Sequence, residues 1–100
     1  MKHLVLRGYG IEKAEDMSDP FLGIKRVRVF FKNGYELSVI RGSFSYGGRE
    51  GLFEIMLTDK PGPKLGEIPP DSILGLMKDP KGWLTSDEVM NYIKIIGELP

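Results

Sequence analysis

Apolar and polar residues alternate with a period of two from Lys25 to Arg41: Val27, Val29 and Phe31 on one parity, then Tyr35, Leu37 and Val39 beyond Asn33-Gly34. Such alternation places successive side chains on opposite faces of a strand, and Asn-Gly between two such runs is the strongest short-range hairpin signal. Two loops compete. A two-residue turn at Asn33-Gly34 pairs Phe31 with Glu36 and Val29 with Ser38, which mixes apolar and polar residues on both faces. A three-residue loop, Lys32-Asn33-Gly34 with Gly34 in the left-handed region as a bulge, pairs Phe31 with Tyr35, Val29 with Leu37 and Val27 with Val39. A one-residue slip exchanges the faces, so the loop that leaves one face wholly apolar is the predicted one. The other face then carries Arg26, Arg28 and Phe30 opposite Ile40, Ser38 and Glu36.

The same patterning places the remaining elements. Leu4-Val5-Leu6 reads as a short first or edge strand, broken by Gly8-Tyr9-Gly10. Ile11 to Asp19 is acidic and weakly helical, and it ends at Asp19-Pro20 because the residue before proline avoids helix. Gly42 to Gly51 is a glycine- and aromatic-rich loop. Leu52 to Thr58 is a further strand with Phe53, Ile55 and Leu57 on one face, continuing the hairpin as a meander. Asp59 to Asp71 holds four prolines and two glycines and is a connection or extended arm. Asp71 to Met77 forms a short helical turn. Thr85 and Glu88 have the spacing of a capping box, and Leu84 and Val89 that of a hydrophobic staple across it. A helix follows from about Ser86 to Ile96, its face formed by Val89, Tyr92, Ile93 and Ile96, with Gly97 suited to its stop. Trp83, just before the cap, is expected to plug the core beneath that helix. The predicted architecture is α+β: one domain over residues 1–100, an antiparallel β-meander of three to four strands with a C-terminal helix packed on one face.

Composition narrows the functional classes. A chain of 100 residues buries roughly two-thirds of its unfolded surface, enough for one small core. The absence of cysteine removes disulfides, thiol catalysis and cysteine metal sites. No apolar run reaches the roughly 18 residues of a membrane span, and the N-terminus lacks a signal-peptide core, so a cytoplasmic location without membrane contact is expected. Net charge is zero, which argues against a dedicated nucleic-acid binder, but the charge is uneven. Between Lys25 and Arg49 six basic residues face one acid. Two readings fit this run: a sheet edge guarded by lysine and arginine against pairing, or a contact for an anion.

Candidate catalytic groups are sparse. His3 is the single histidine and sits near the N-terminus. Ser43 and Ser45 have no histidine nearby and no nucleophile-elbow pattern. Glu12, Glu15, Asp16 and Asp19 lack the spacing of a calcium loop. No enzymatic activity, metal or cofactor is expected. Gly47-Gly48-Arg49-Glu50-Gly51 could present backbone N–H groups to an anion, yet it lacks the Gly-Lys-Ser/Thr ending of a phosphate loop and leads into a strand. Phe44 and Tyr46, flanked by Arg41 and Arg49, could stack on a base, and the same residue types are favoured at protein interfaces.

The run Asn33 to Ile40, then Tyr46-Gly47-Gly48, Glu50-Gly51-Leu52-Phe53-Glu54-Ile55 and Gly82-Trp83-Leu84-Thr85 before an acidic helix, resembles small uncharacterised proteins encoded by bacteriophages. The resemblance covers roughly Phe30 to Leu99 and omits the first 25 residues and the proline-rich stretch from Lys60 to Pro70. It implies a phage accessory protein without assigned activity, and such proteins commonly bind a host or phage macromolecule, host defence factors included. The expected function is therefore non-catalytic protein–protein binding through Arg26, Arg28 and Phe30 of the hairpin and Phe44, Tyr46 and Arg49 of the loop. Charge reversal at Arg28 and Arg49 is the substitution pair this reading selects. A nucleotide or single-stranded nucleic acid on the same surface is the alternative, and self-association through a hairpin edge is a third possibility.

Overall fold

The computed structural model describes residues 4–42, 45, 48–58 and 71–99, without the side chains of Arg49, Asp71, Ser72, Leu74 and Lys78. The hairpin has the three-residue loop. Strands β2 (Ile24–Phe31) and β3 (Glu36–Gly42) pair Val29 with Leu37 and Val27 with Val39. The Phe31 N–H donates to the Tyr35 carbonyl at 2.9 Å, and Gly34 sits at φ 95°, as the bulge requires. Strand β4 (Phe53–Thr58) extends the meander, pairing Ile55 with Val39 and Leu57 with Leu37. One face of these three strands is therefore continuous hydrocarbon, and every one of those side chains is buried.

Two further strands, β1 (Ile11–Asp16) and β5 (Lys81–Leu84), complete an antiparallel sheet in the order β1-β2-β3-β4-β5, five strands where three or four were expected. Strand β1 (Ile11–Asp16) takes the place of the predicted weak helix. Its glutamates, lysine and alanine favour a helix weakly, but the unpaired edge of β2 supplies a ladder of hydrogen bonds that an isolated helical turn cannot match. Leu4–Leu6, expected as a strand, has no strand structure, although Leu4 is buried. Strand β5 (Lys81–Leu84) pairs with β4 and leads directly into the C-terminal helix.

This order overturns the reading of the basic run as edge protection, because β2 and β3 are both interior. It also leaves the hairpin without a free edge through which copies could pair. The actual edges are poor templates: β1 is charged, exposed beyond Ile11 and irregular between Ile11 and Lys13, and β5 has only four residues and a bulge.

Two helices, α1 (Asp71–Lys78) and α2 (Ser86–Gly97), lie on the apolar face and close the core with Ile73, Leu76, Val89, Ile93 and Ile96. The capping box of α2 is formed. Thr85 Oγ1 accepts from the Glu88 N–H at 3.2 Å, and Glu88 Oε1 accepts from the Thr85 N–H at 3.0 Å. The bond from the Thr85 N–H first, and then that from the Thr85 hydroxyl, which donates to the same Oε1 at 3.1 Å, hold the Glu88 carboxyl below its ordinary pKa. A carboxyl depressed in the folded state stabilises above its unfolded pKa, and the contribution disappears as pH falls through the folded value. Acidification below the usual glutamate range is thus expected to loosen the start of α2. The check is the protection of the Thr85 and Glu88 amides against exchange, corrected for the intrinsic pH dependence of exchange: it should fall at low pH in the native chain and stay level with pH in Glu88→Gln.

The other end of α2 is held by residues distant in sequence. Asn33 Nδ2, in the hairpin loop, donates to the carbonyls of Ile96 at 2.8 Å and Leu99 at 2.9 Å. Beside it, the Gly8–Gly10 turn crosses the helix end backbone to backbone: a Cβ on Gly10 would lie 2.8 Å from the Gly97 carbonyl oxygen.

Candidate functional site

With both helices on one face, no element among the described residues covers the opposite face of the sheet. Directly paired residues share a face, so the register writes this surface as rows. The first row runs Lys13, Phe30, Glu36, Thr58; the second Glu15, Arg28, Ser38, Met56; the third Arg26, Ile40, Glu54. The predicted hairpin residues Arg26, Arg28 and Phe30 do share this face, joined by groups from β1 and β4.

Its charges are largely matched within the face. Arg28 Nε lies 3.2 Å from Glu36 Oε1, a charge contact without hydrogen-bond alignment, and Glu36 Oε2 accepts from the Thr58 hydroxyl at 3.2 Å. Lys13 Nζ is 3.1 Å from Glu15 and sits 4.8 Å above the Phe30 ring. Arg28 is thus not an unpaired cation awaiting an anion. Reversing its charge would set a second carboxylate beside Glu36, with Glu15 directly across on β1, and would perturb the sheet as well as any partner. Arg26 differs: it is exposed and, among the described residues, makes no ion pair.

Arg26 lines a cleft of about 150 Å³ with Ile24, Ile40, Gly42, Ser45 and Glu54, which connects the strand face to the base of the glycine loop. Phe44 and Tyr46 lie outside the described residues, as do His3, Ser43 and the proline-rich stretch 59–70. The backbone of Arg49 is in a single 3-10 turn, Gly48–Glu50. The loop base is closed on itself. Ser45 Oγ accepts from the Gly42 N–H and donates to the Gly42 carbonyl, both at 2.9 Å, and the N–H groups of Ser45, Gly48 and Gly51 each donate to a carbonyl three residues back. Those N–H groups are therefore not turned toward an anion, and the Ser45 hydroxyl is committed to the backbone. Among the described residues, no three His, Asp or Glu side chains converge to hold a metal ion.

Two exposed anchors were not legible as such. Trp83, expected in the core, is 59% exposed. Leu84 takes the buried position before the helix cap, and the bulge in β5, where Gly82 and Trp83 fall between the Phe53–Leu84 and Ile55–Lys81 pairs, turns Trp83 outward at φ 61°. An aromatic residue in the left-handed region is strained at a position glycine would occupy without cost. Trp83→Gly is accordingly expected to raise the stability of the isolated chain by roughly 0.5–1 kcal/mol, read from the urea midpoint by circular dichroism because the substitution removes the only tryptophan.

The second anchor is Phe21, 98% exposed at the tip of the β1–β2 connection. Asp19 builds this turn: its carboxylate accepts from the N–H groups of Phe21 at 2.9 Å and Leu22 at 3.3 Å, and its backbone bonds Ile24 in both directions. Asp-Pro followed by Gly23 marks the turn in the sequence, but nothing local marks Phe21 as its exposed tip. Through Ile24, the turn adjoins the Arg26 cleft.

Fold and face together define a small α+β protein with a five-stranded antiparallel meander, helices on one side and a mixed apolar and charge-paired surface on the other. Compared with protein-family models, curated proteins and solved structures, the chain matches none. Among the described residues no helix is long and apolar enough to cross a membrane.

Proposed function

We propose that the chain is a non-catalytic accessory protein of a phage or mobile element, and that it binds a host or phage protein through the open face of its sheet. Inhibition of a host defence factor is the activity this reading favours. One observation carries the choice of a protein partner: Arg28 and Lys13 are matched by Glu36 and Glu15 on the face itself. A nucleic-acid surface needs unpaired cations, because its affinity comes largely from neutralising phosphates. A surface whose charges are largely paired with one another, interspersed with Phe30, Ile40 and Met56, suits a mixed polar and apolar protein interface. Arg26 at the cleft is the cation left to meet a partner's carboxylate or carbonyl.

The test is a tagged capture from host lysate, with and without nuclease, repeated with Arg26→Glu. A stoichiometric protein that survives nuclease and binds the variant about tenfold more weakly or worse is expected. Capture that vanishes with nuclease and falls steeply with salt would replace this reading with nucleic-acid binding.

A further inference from the structure

Asn33 and Gly34 form the dipeptide most open to spontaneous deamidation. With no Cβ on Gly34, its backbone nitrogen can approach the Asn33 side chain closely. In that reaction the Gly34 nitrogen, losing its proton to solvent base, bonds to Asn33 Cγ, and the Cγ–Nδ2 bond breaks to release ammonia. Water then opens the resulting five-membered imide at either carbonyl, leaving an aspartyl or an isoaspartyl residue at position 33. The only co-reactant is water.

We propose that Asn33-Gly34 is a modification site that the native fold holds shut, so that deamidation marks chains that have unfolded and hinders their return. Each polar atom that ring closure must move is already hydrogen-bonded. Nδ2 donates to the Ile96 and Leu99 carbonyls at 2.8 and 2.9 Å, and Oδ1 accepts from the Tyr35 N–H at 3.2 Å. The attacking Gly34 nitrogen has its proton directed at the Phe31 carbonyl, 2.9 Å away. Swinging Cγ over that nitrogen breaks the side-chain bonds and deforms a loop whose length sets the register of the central hairpin. The reaction therefore runs from the opened chain, at a rate proportional to its population.

Once formed, the product fits the site badly. The aspartyl product replaces two donors with a carboxylate facing the Ile96 and Leu99 carbonyls, at the negative end of the α2 dipole. The isoaspartyl product adds a main-chain methylene to the three-residue loop. Both make the modified chain less stable than the original and more often open.

The experiment incubates the full chain at one mildly alkaline pH and temperature, in native buffer and in concentrated urea. Conversion is read by peptide mass spectrometry and isoaspartyl methyltransferase labelling. Asn91, the other asparagine and followed by Tyr92, is the internal comparison. Since unfolded fractions of stable domains are on the order of 10⁻³–10⁻⁶, conversion at position 33 should be at least about a hundredfold slower in native buffer. Ile55→Ala, which removes fully buried volume, should raise the native rate by the same factor as its unfolded fraction, up to the urea rate if it does not fold. Equal rates for the unsubstituted chain in the two solvents, or a native rate indifferent to Ile55→Ala, would overturn the gating. Converted chains returned to native buffer should melt below unmodified ones; an unchanged melting temperature would overturn the consequence.

Discussion

Gly97→Ala is expected to destabilise the protein by about 2–3 kcal/mol, with a lower urea midpoint by circular dichroism. Two effects oppose each other here. In an exposed helix interior, alanine is favoured over glycine by about 1 kcal/mol, so propensity alone predicts stabilisation. At this end of α2, however, the new Cβ would be driven into the carbonyl group of Tyr9. That obstacle is backbone, not the tip of a movable side chain, and it cannot retreat cheaply. Tyr9 and Gly10 are held at φ 48° and 76°, and the Gly10 carbonyl accepts from the Lys32 N–H at 2.8 Å, so the turn is tied to the central hairpin. Overpacking against fixed backbone outweighs the propensity gain. A Gly97→Ala chain as stable as the original would mean that the N-terminal turn does not pack on α2 as described.

Asn33→Ala is expected to cost about 2 kcal/mol. Each of its two bonds to the α2 carbonyls contributes roughly 0.5–1.5 kcal/mol in a part-buried setting, and the Oδ1 bond to the Tyr35 N–H is lost as well. The turn itself is not the reason, because Gly34 supplies the positive φ of the loop and Asn33 does not. The comparison with Asn33→Asp separates the two roles. Were Asn33 present for its turn chemistry, aspartate would replace it with little loss, since Asp-Gly is an equally good hairpin pair. As a cap for the helix C-terminus, aspartate is expected to be no better than alanine, because it offers acceptors where donors are needed and adds charge at the negative end of the dipole. An Asn33→Asp chain as stable as the original would show that the bonds to Ile96 and Leu99 contribute nothing.

These two positions also show how far local reading reaches. Asn33-Gly34 announced a hairpin in sequence, and the parity of Val27, Val29, Leu37 and Val39 chose the loop; both are decided within a few residues. That Asn33 would reach a helix more than sixty residues later was not legible, because the contact depends on how that helix crosses the sheet. The candidate site divides in the same way. Arg26, Arg28 and Phe30 were correctly placed together on the face opposite the core. The pairing of Arg28 with Glu36 was hidden, since these two are diagonal neighbours across strands and become partners only through rotamer choice and the nearby Thr58 hydroxyl. Trp83 misled because its size suggested burial, while its neighbour Leu84 took the core position.

By itself, then, the sequence determined the central hairpin and its register, the side of β4 that meets the core, and the start of α2. Each rests on period-two alternation or a cap only four residues long, and these operate whatever the rest of the chain does. Only the tertiary structure decided that Ile11–Asp16 is a strand, that β2 and β3 are interior, that Arg28 is matched by Glu36 and Lys13 by Glu15, and that Trp83 and Phe21 stand exposed. A weakly patterned segment such as Ile11–Asp16 takes its conformation from the edge it meets. The use of a charged side chain is set by the neighbours that sheet pairing brings to it, and neither is written in local sequence.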